Sequence, residues 1–257
     1  MIKLVRWPRF VKQVDAFTTT REGGVSKEEF TSLNLSFTVG DRIEDVSENR
    51  ARLFREFNLD KENTVIVKQF HSDITKIVTK KDASKGYEGF LSGVEADALL
   101  TTDKNLALGI YHADCVPVFL YVPTINLVGI CHAGSTGTLK FITQKCIKKI
   151  KEEYKVKPEA IYAYIGPSLH FSNNEISKEQ ADEYLALGLD KYGVIKVIDG
   201  KYLFDVPLFN FMQLREEGIP TTNIDISEFC TFENEELFYS YRRNKKTGRM
   251  MSFIRLR

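Results

Sequence analysis

The chain has 257 residues, 43% of them hydrophobic and 28% charged, an ordinary globular balance with enough length to bury a sizeable core. Thirty-six basic and 35 acidic residues leave a formal net charge of +1, and without a basic excess a nucleic-acid partner is not expected. The N-terminus lacks an apolar run of signal-peptide length, and no stretch approaches the ~18 apolar residues of a membrane span, so no membrane partner is expected either.

No repeat of fixed period and no low-complexity linker divides the chain, which predicts a single domain over residues 1–257. Val14 to Thr20 reads as a strand, followed by the polar turn Arg21 to Ser26. Asp45 to Phe57 reads as a helix with Asp45 and Glu48 at capping-box spacing and Val46, Arg50, Leu53, Phe54 and Phe57 on one side. Asn63 to His71 is β-rich, Thr75 to Lys80 is a second short strand, and Lys81 to Gly93 reads as a loop. The apolar run Leu106 to Val122 is interrupted by His112, Asp114 and Cys115, and reads as strands. Ile125 to His132 is a strand ending in Ala133-Gly134-Ser135-Thr136-Gly137. Helical spacing of Leu139, Ile142, Cys146, Ile147, Ile150 and Tyr154 predicts a helix, with Lys145, Lys148, Lys149 and Lys151 as its solvated face. Ala160 to Ile165 is a strand stopped by Gly166-Pro167. A helix starts near Ser177, with Ser177 and Gln180 as a capping box and Gly188 as its stop. Pro207 to Glu217 is another, closed by Gly218. Two late strands, Leu237 to Arg242 and Met250 to Leu256, bracket the turn 244–248. The mixture, without regular βαβ alternation, predicts an α+β (irregular α/β) fold with mixed β-sheets and flanking helices.

Four cysteines (115, 131, 146, 230) without an export signal predict reduced thiols and a cytoplasmic protein, and no CxxC pair suggests a zinc ribbon. Histidine is scarce, four in all, and three of them lie in or at the ends of apolar strands. His71, Cys115 and His132 together offer imidazole and thiolate ligands suited to zinc. Three protein ligands with one open position is the form of a catalytic site, and zinc there lowers the pKa of a bound water to near ~7. The same residue types also occur as plain core: a strand-end histidine is commonly a hydrogen-bonded structural group, and a cysteine in an apolar strand a small hydrophobe. Alternation sends Cys131 away from any site that His132 faces. His112 and Cys115 diverge in a regular strand, so His112 joins only if the backbone bends at Ala113-Asp114. Cys146 reads as packing. The turn 134–137 feeds a helix and is a candidate anion site beside His132. Arg21, Arg50, Arg242, Arg243 and Arg249 are further candidates for anion contact.

An ordered set of motifs runs through the chain: Thr19-Thr20-Arg21-Glu22-Gly23-Gly24-Val25-Ser26, Ser32-Leu33-Asn34-Leu35, Gly40-Asp41, Asn49-Arg50, Gln69-Phe70-His71, Ala96 to Thr101, Ala113-Asp114-Cys115-Val116-Pro117-Val118, His132-Ala133-Gly134, Ile165-Gly166-Pro167-Ser168, Cys230-Thr231, Phe238 to Arg243 and Thr247-Gly248-Arg249. Over about residues 14 to 256 this resembles the multicopper polyphenol oxidase or laccase-domain family. The resemblance implies a purine nucleoside phosphorylase that also deaminates adenosine and cleaves methylthioadenosine. It implies zinc on His71, Cys115 and His132, substrate or anion contacts from Arg21, Arg50, Asn34 and Arg243, and purine nucleosides, phosphate and water as small-molecule partners. It also implies a fold like that of cytotoxic necrotising factor toxins. The laccase name implies copper, which is the less favoured metal because four histidines cannot build a multicopper set. The family has further been tied to editing of peptidoglycan precursors, and an amidase of that kind would use Cys115 as nucleophile with a histidine base. This chain departs from the family pattern at Ser135-Thr136, where Trp-Arg is usual, at Ser72 and at Asn174-Glu175-Ile176. A nucleoside-binding protein with weak or lost catalysis is the third reading, supported by the first of these departures.

Overall fold

Unbroken or alternating apolar stretches fold here as strands, and stretches of 3.6-residue period as helices. The computed structural model describes residues 2–257. Its strands are β1 (Leu4–Arg6), β2 (Val14–Thr19), β3 (Thr64–Ile66), β4 (Thr75–Ile77), β5 (Ala98–Thr101), β6 (Ala107–His112), β7 (Val116–Val122), β8 (Leu127–Ala133), β9 (Tyr162–Ile165), β10 (Glu175–Ile176), β11 (Ile195–Ile198), β12 (Lys201–Phe204), β13 (Ile224–Ile226) and β14 (Met250–Leu256). The α-helices are α1 (Ile43–Phe57), α2 (Ser135–Leu139), α3 (Ile142–Tyr154), α4 (Lys178–Ala186) and α5 (Val206–Glu216).

Three sheets result, with strand orders β1-β2-β14-β6-β3, β13-β9-β7-β8-β5-β4 and β10-β12-β11. The two large ones are mixed: β3–β6, β9–β13 and β4–β5 run parallel and the other pairs antiparallel. They share one core. Ala16, Leu108, Ile110 and Ile254 of the five-stranded sheet meet Leu99, Phe119, Tyr121, Val128 and Ile130 of the six-stranded sheet. Because β7 and β8 alternate, their other face carries Val118, Leu120, Cys131 and Ala133, and these pack on Ile142, Cys146, Ile147 and Ile150 of α3 and Phe209 and Leu214 of α5. Leu53 and Phe54 of α1 cover Phe17, Tyr111 and Phe253 on the outside of the five-stranded sheet. Every residue of β6, β7 and β8 is buried, as strands covered on both faces must be. Between β6 and β7 the chain crosses from one large sheet to the other through Ala113-Asp114-Cys115, and Asp114 turns the corner at φ +94°.

The α+β class and mixed sheets stand as expected, and several boundaries shift. Helix α1 starts at Ile43, so Asp45 lies inside it and caps nothing, and Arg42 at its N-cap makes no side-chain cap. The Ser177–Gln180 capping box forms in both directions. The helix expected from Leu139 to Tyr154 is two, because Phe141 is left-handed (φ +62°) and divides α2 from α3. Of the stretch 63–71 only Thr64–Ile66 is strand. Leu237 to Arg242 is not a strand: the N–H groups of Leu237 and Phe238 return to Asn234 O, and the N–H of Tyr239 meets Met250 Sδ, so Phe238 to Ser240 are buried by packing rather than pairing. The lysines of α3 do form a solvated face, paired with Asp73, Glu217 and Glu153. No helix among the described residues is long and apolar enough to cross a membrane, and all four cysteines are free thiols.

Candidate metal centre

Strand register brings the site together. Ala98 of β5 stands opposite Cys131 of β8, so Asp97 falls beside His132, whose backbone N–H donates to Asp97 O at 2.7 Å. Val116 of β7 stands opposite Ala133, so Cys115, at the end of the sheet-to-sheet crossing, falls beside Gly134. His71 lies in the segment between β3 and β4 and adopts a left-handed conformation (φ +59°), which histidine visits more readily than bulky residues. That conformation turns three successive N–H groups to one side. Those of Phe70, His71 and Ser72 donate to the Asp97 carboxylate at 3.2, 3.1 and 2.7 Å, and Ser72 Oγ donates at 2.6 Å. The same carboxylate accepts from His132 Nδ1 at 2.8 Å. Asp97, fully buried, therefore ties the His71 loop and the His132 ring to one group.

The ligand atoms of His71, Cys115 and His132 all lie within 4.8 Å of one another, and Cys115 Sγ is 3.8 Å from His71 Nε2. Tetrahedral zinc with bonds of ~2.3 Å to sulfur and ~2.1 Å to nitrogen separates those atoms by about 3.6 Å, so the donor set fits a single ion. With Nδ1 bound to Asp97, His132 has Nε2 left to offer, the carboxylate–histidine pattern that orients metal ligands. Gly134 completes the fit: a Cβ there would lie 2.8 Å from Cys115 Sγ and 2.8 Å from His71 Cδ2, so glycine leaves the Cys115 and His71 side chains their space.

Charge organises the metal-free cluster. Burial raises the Cys115 thiol, but the His132 charge and hydrogen bonds from both histidines outweigh it and bring the group to about 6. Burial lowers His132, yet the Cys115 thiolate and the Asp97 carboxylate raise it to about 9. Asp97, raised by burial, is held at about 2 by its bonds to His132 and Ser72. The result is a carboxylate–imidazolium–thiolate row, buried at Asp97 and His132 and half-buried at Cys115.

Two abutting cavities share His71, Ala113, Cys115 and Tyr241. The larger, about 440 Å³, is walled by Phe90, Tyr111, His112, Arg249 and the hydroxyls of Ser36 and Thr38. The smaller, about 260 Å³, is walled by Ser135, Thr136, Asn174, Arg242 and Lys245.

The structure unites the trio and separates the expected anion contacts from it. Arg21 donates to Thr31 O and Glu235 O and lies over Tyr239. Arg50 is buried and donates to Leu35 O, Tyr111 Oη, Gly86 O and Tyr87 O. Arg243 donates to Thr231 O, Phe232 O and Phe238 O. Asn34 bridges Ser36 and Asp41 and accepts from the Arg249 N–H. None of the four lines either cavity. His112 stays outside the trio even though the chain bends at Asp114. Its Nε2 meets Ser252 Oγ at 2.8 Å, and burial with the nearby His132 and Arg249 charges lowers it to about 3, keeping it neutral. Cys131 and Cys146 are core, and Cys230 Sγ accepts from the His170 N–H. Gly134, rather than Ser135 or Thr136, is the N-cap of α2, whose five residues form little more than one turn. Asp97, Tyr241 and Lys245 are wall and support residues to which sequence reasoning gave no role, whereas Arg249 and Arg242 were among its candidate anion contacts. Asp97 and Tyr241 lie within the ordered motifs Ala96 to Thr101 and Phe238 to Arg243, and Lys245 carries no such signal.

The model of the family described as multi-copper polyphenol oxidoreductase laccase matches residues 15–257. A purine nucleoside phosphorylase, YlmD, of Bacillus subtilis (strain 168) is 37% identical over 246 residues, covering 95% of this chain and 88% of that protein. A protein of the same name from Geobacillus stearothermophilus is 34% identical over 241 residues, covering 92% and 88%. Among solved structures, the Geobacillus stearothermophilus YlmD superposes with a TM-score of 0.92 at 34% identity, over 99% of this chain and 96% of that one. A hypothetical protein YfiH of Bacillus licheniformis gives 0.92 at 33% identity, with the same coverage.

Proposed function

This chain belongs to the multi-copper polyphenol oxidoreductase laccase family, and on that premise we propose that it is a zinc-dependent purine nucleoside phosphorylase that also deaminates adenosine and cleaves methylthioadenosine. The observation that carries this reading is the convergence of His71, Cys115 and His132 at the junction of a two-lobed cavity. The name borne by relatives at 37% and 34% identity supports the choice of substrate.

When bound, the metal supplies Lewis acidity and one open position beside the substrate. The rest is done by the chain. Asp97 fixes the His132 ring through Nδ1 and the His71 loop through three N–H groups. Phe90, Tyr111 and Tyr241 offer aromatic surface to a purine ring, and a cavity of about 440 Å³ is within the ~300–1,000 Å³ usual for small-molecule sites. Arg249 is the one arginine or lysine among the described residues in the wall of that lobe. Its Nη1 is held by Thr247 O and Gly248 O, which aims a fixed charge at negative charge developing on a departing purine.

Zinc-loaded protein is incubated with adenosine, inosine and methylthioadenosine, with and without phosphate, and the products are separated chromatographically. Free base formed only with phosphate is expected for phosphorolysis, and inosine formed from adenosine without phosphate for deamination. Neither adenine nor inosine from adenosine would sink the reading. A second reading, a cysteine hydrolase acting on an amide, is favoured by the Asp97–His132–Cys115 row, which has the order of a nucleophilic triad. It predicts full activity after chelation, whereas the metal-dependent reading predicts loss.

A further inference from the structure

The two lobes differ in chemistry, and the difference assigns the reactants. The larger lobe is aromatic. The smaller one gathers Arg242, Lys245 and the hydroxyls of Ser135 and Thr136, a cationic, hydrogen-bonding wall suited to a tetrahedral oxyanion. We infer that the smaller lobe is the phosphate subsite, with Lys245 as its principal charge, and that the nucleoside lies in the larger lobe with its sugar at the junction. This rests on the phosphorylase reading above.

Three details carry it. Lys245 is exposed, and its Nζ has no carboxylate partner and no hydrogen bond among the described residues, so its donors are free for an anion. It lies 4.2 Å from the centroid of the Tyr241 ring, which lines both lobes. The Arg242 guanidinium is fixed by Glu175 O and Asn174 Oδ1, leaving further N–H donors. The one acid in this wall, Asp114, already accepts from Thr231 Oγ1 at 2.7 Å and from the Arg242 N–H at 2.6 Å. Two cations and two hydroxyls thus face a single, already engaged carboxylate.

The arrangement also suits the reaction. Displacement at C1′ places the entering oxygen and the departing base on opposite sides of that carbon. A phosphate oxygen in the smaller lobe forms the C1′–O bond as the C1′–N9 bond breaks toward the larger lobe, its electron pair leaving with the purine. The proton of hydrogen phosphate ends on the base, so the products are ribose 1-phosphate and neutral purine.

The test measures inorganic phosphate binding by calorimetry to the zinc-loaded protein without nucleoside, for the native chain and for Lys245→Met, Lys245→Arg and Arg249→Met. Native protein is expected to bind phosphate, Lys245→Met to weaken it about tenfold or more, as loss of a charge-assisted hydrogen bond does, and Lys245→Arg to retain it. In turnover, Lys245→Met raises KM for phosphate while KM for inosine stays within twofold. Absence of phosphate binding, equal binding by native and Lys245→Met proteins, or a loss confined to Arg249→Met overturns the assignment. If turnover depends on phosphate while Lys245→Met binds it normally, the phosphorylase reading stands and only the subsite falls. If phosphate binds through Lys245 and no nucleoside is cleaved, the subsite stands and the phosphorylase reading falls.

Discussion

Replacing Gly134 with alanine adds one methyl group where the candidate ligands stand. The new Cβ would lie 2.8 Å from Cys115 Sγ and from His71 Cδ2, and 3.3 Å from His71 Nε2. Carbon contacts are comfortable from ~3.5 Å, so the two closest atoms must each retreat by about 0.7 Å. A metal site tolerates errors of only ~0.2 Å in its ligand distances. The backbone at Gly134 (φ −71°, ψ 170°) suits any residue, and alanine in a compatible conformation stabilises a fold by ~0.4–1 kcal/mol through the unfolded chain. Both crowded atoms are on side chains that can swing, so the strain falls on the site rather than on the fold. Zinc affinity of Gly134→Ala is expected to fall by about 10–100-fold, the scale seen when groups supporting a metal site are disturbed. The melting temperature of the metal-free protein is expected to stay within about 4 °C of the native value. Competition against a fluorescent zinc chelator, with thermal melts of the metal-free proteins, measures both. Unchanged zinc affinity would refute the claim that these three side chains share one ion.

Asp97→Asn offers a single acceptor oxygen to donors that now divide between two, from Phe70, His71, Ser72 and His132. Loss of a buried, hydrogen-bonded charge on this scale costs ~3 kcal/mol and lowers the melting temperature by about 6–12 °C. Zinc affinity should drop with it, and a variant with native affinity would show that Asp97 does not position the histidines. Arg50→Met should act differently. It strands Leu35 O, Gly86 O and Tyr87 O, costing ~2–4 kcal/mol by thermal melt, while phosphate binding stays native; weakened phosphate binding would restore Arg50 as an anion contact. The chelated protein should be alkylated by iodoacetamide at Cys115 with a half-maximal rate near pH 6, because the thiolate predominates above about 6 and is lost as pH falls through it. A midpoint near the ordinary ~8.5, read by mass spectrometry across a pH series, would contradict the imidazolium–thiolate row.

Periodicity and residue chemistry in the chain determine much of this protein. The largely apolar runs around 107–133 become the buried centre of two sheets because strands covered on both faces bury nearly every side chain, His112 and His132 included. Alternation along β8 already sends Cys131 to the core and His132 to the site. The scarcity of histidine and the ordered motifs single out His71, Cys115 and His132. Tertiary structure alone decided what surrounds them. The pairing of β8 with β5 and β7 carries Asp97 and Cys115 to His132 over long sequence separations, and register cannot be read from one strand. The arginines illustrate the same limit. An exposed ligand-binding guanidinium and a buried one satisfied by carbonyls look alike in sequence, so Arg21, Arg50 and Arg243 appeared equal to Arg249. Only the fold seats the first three away from both cavities and places Arg249 in the wall of the larger and Arg242 and Lys245 in that of the smaller, although backbone oxygens hold Arg249 and Arg242 as well.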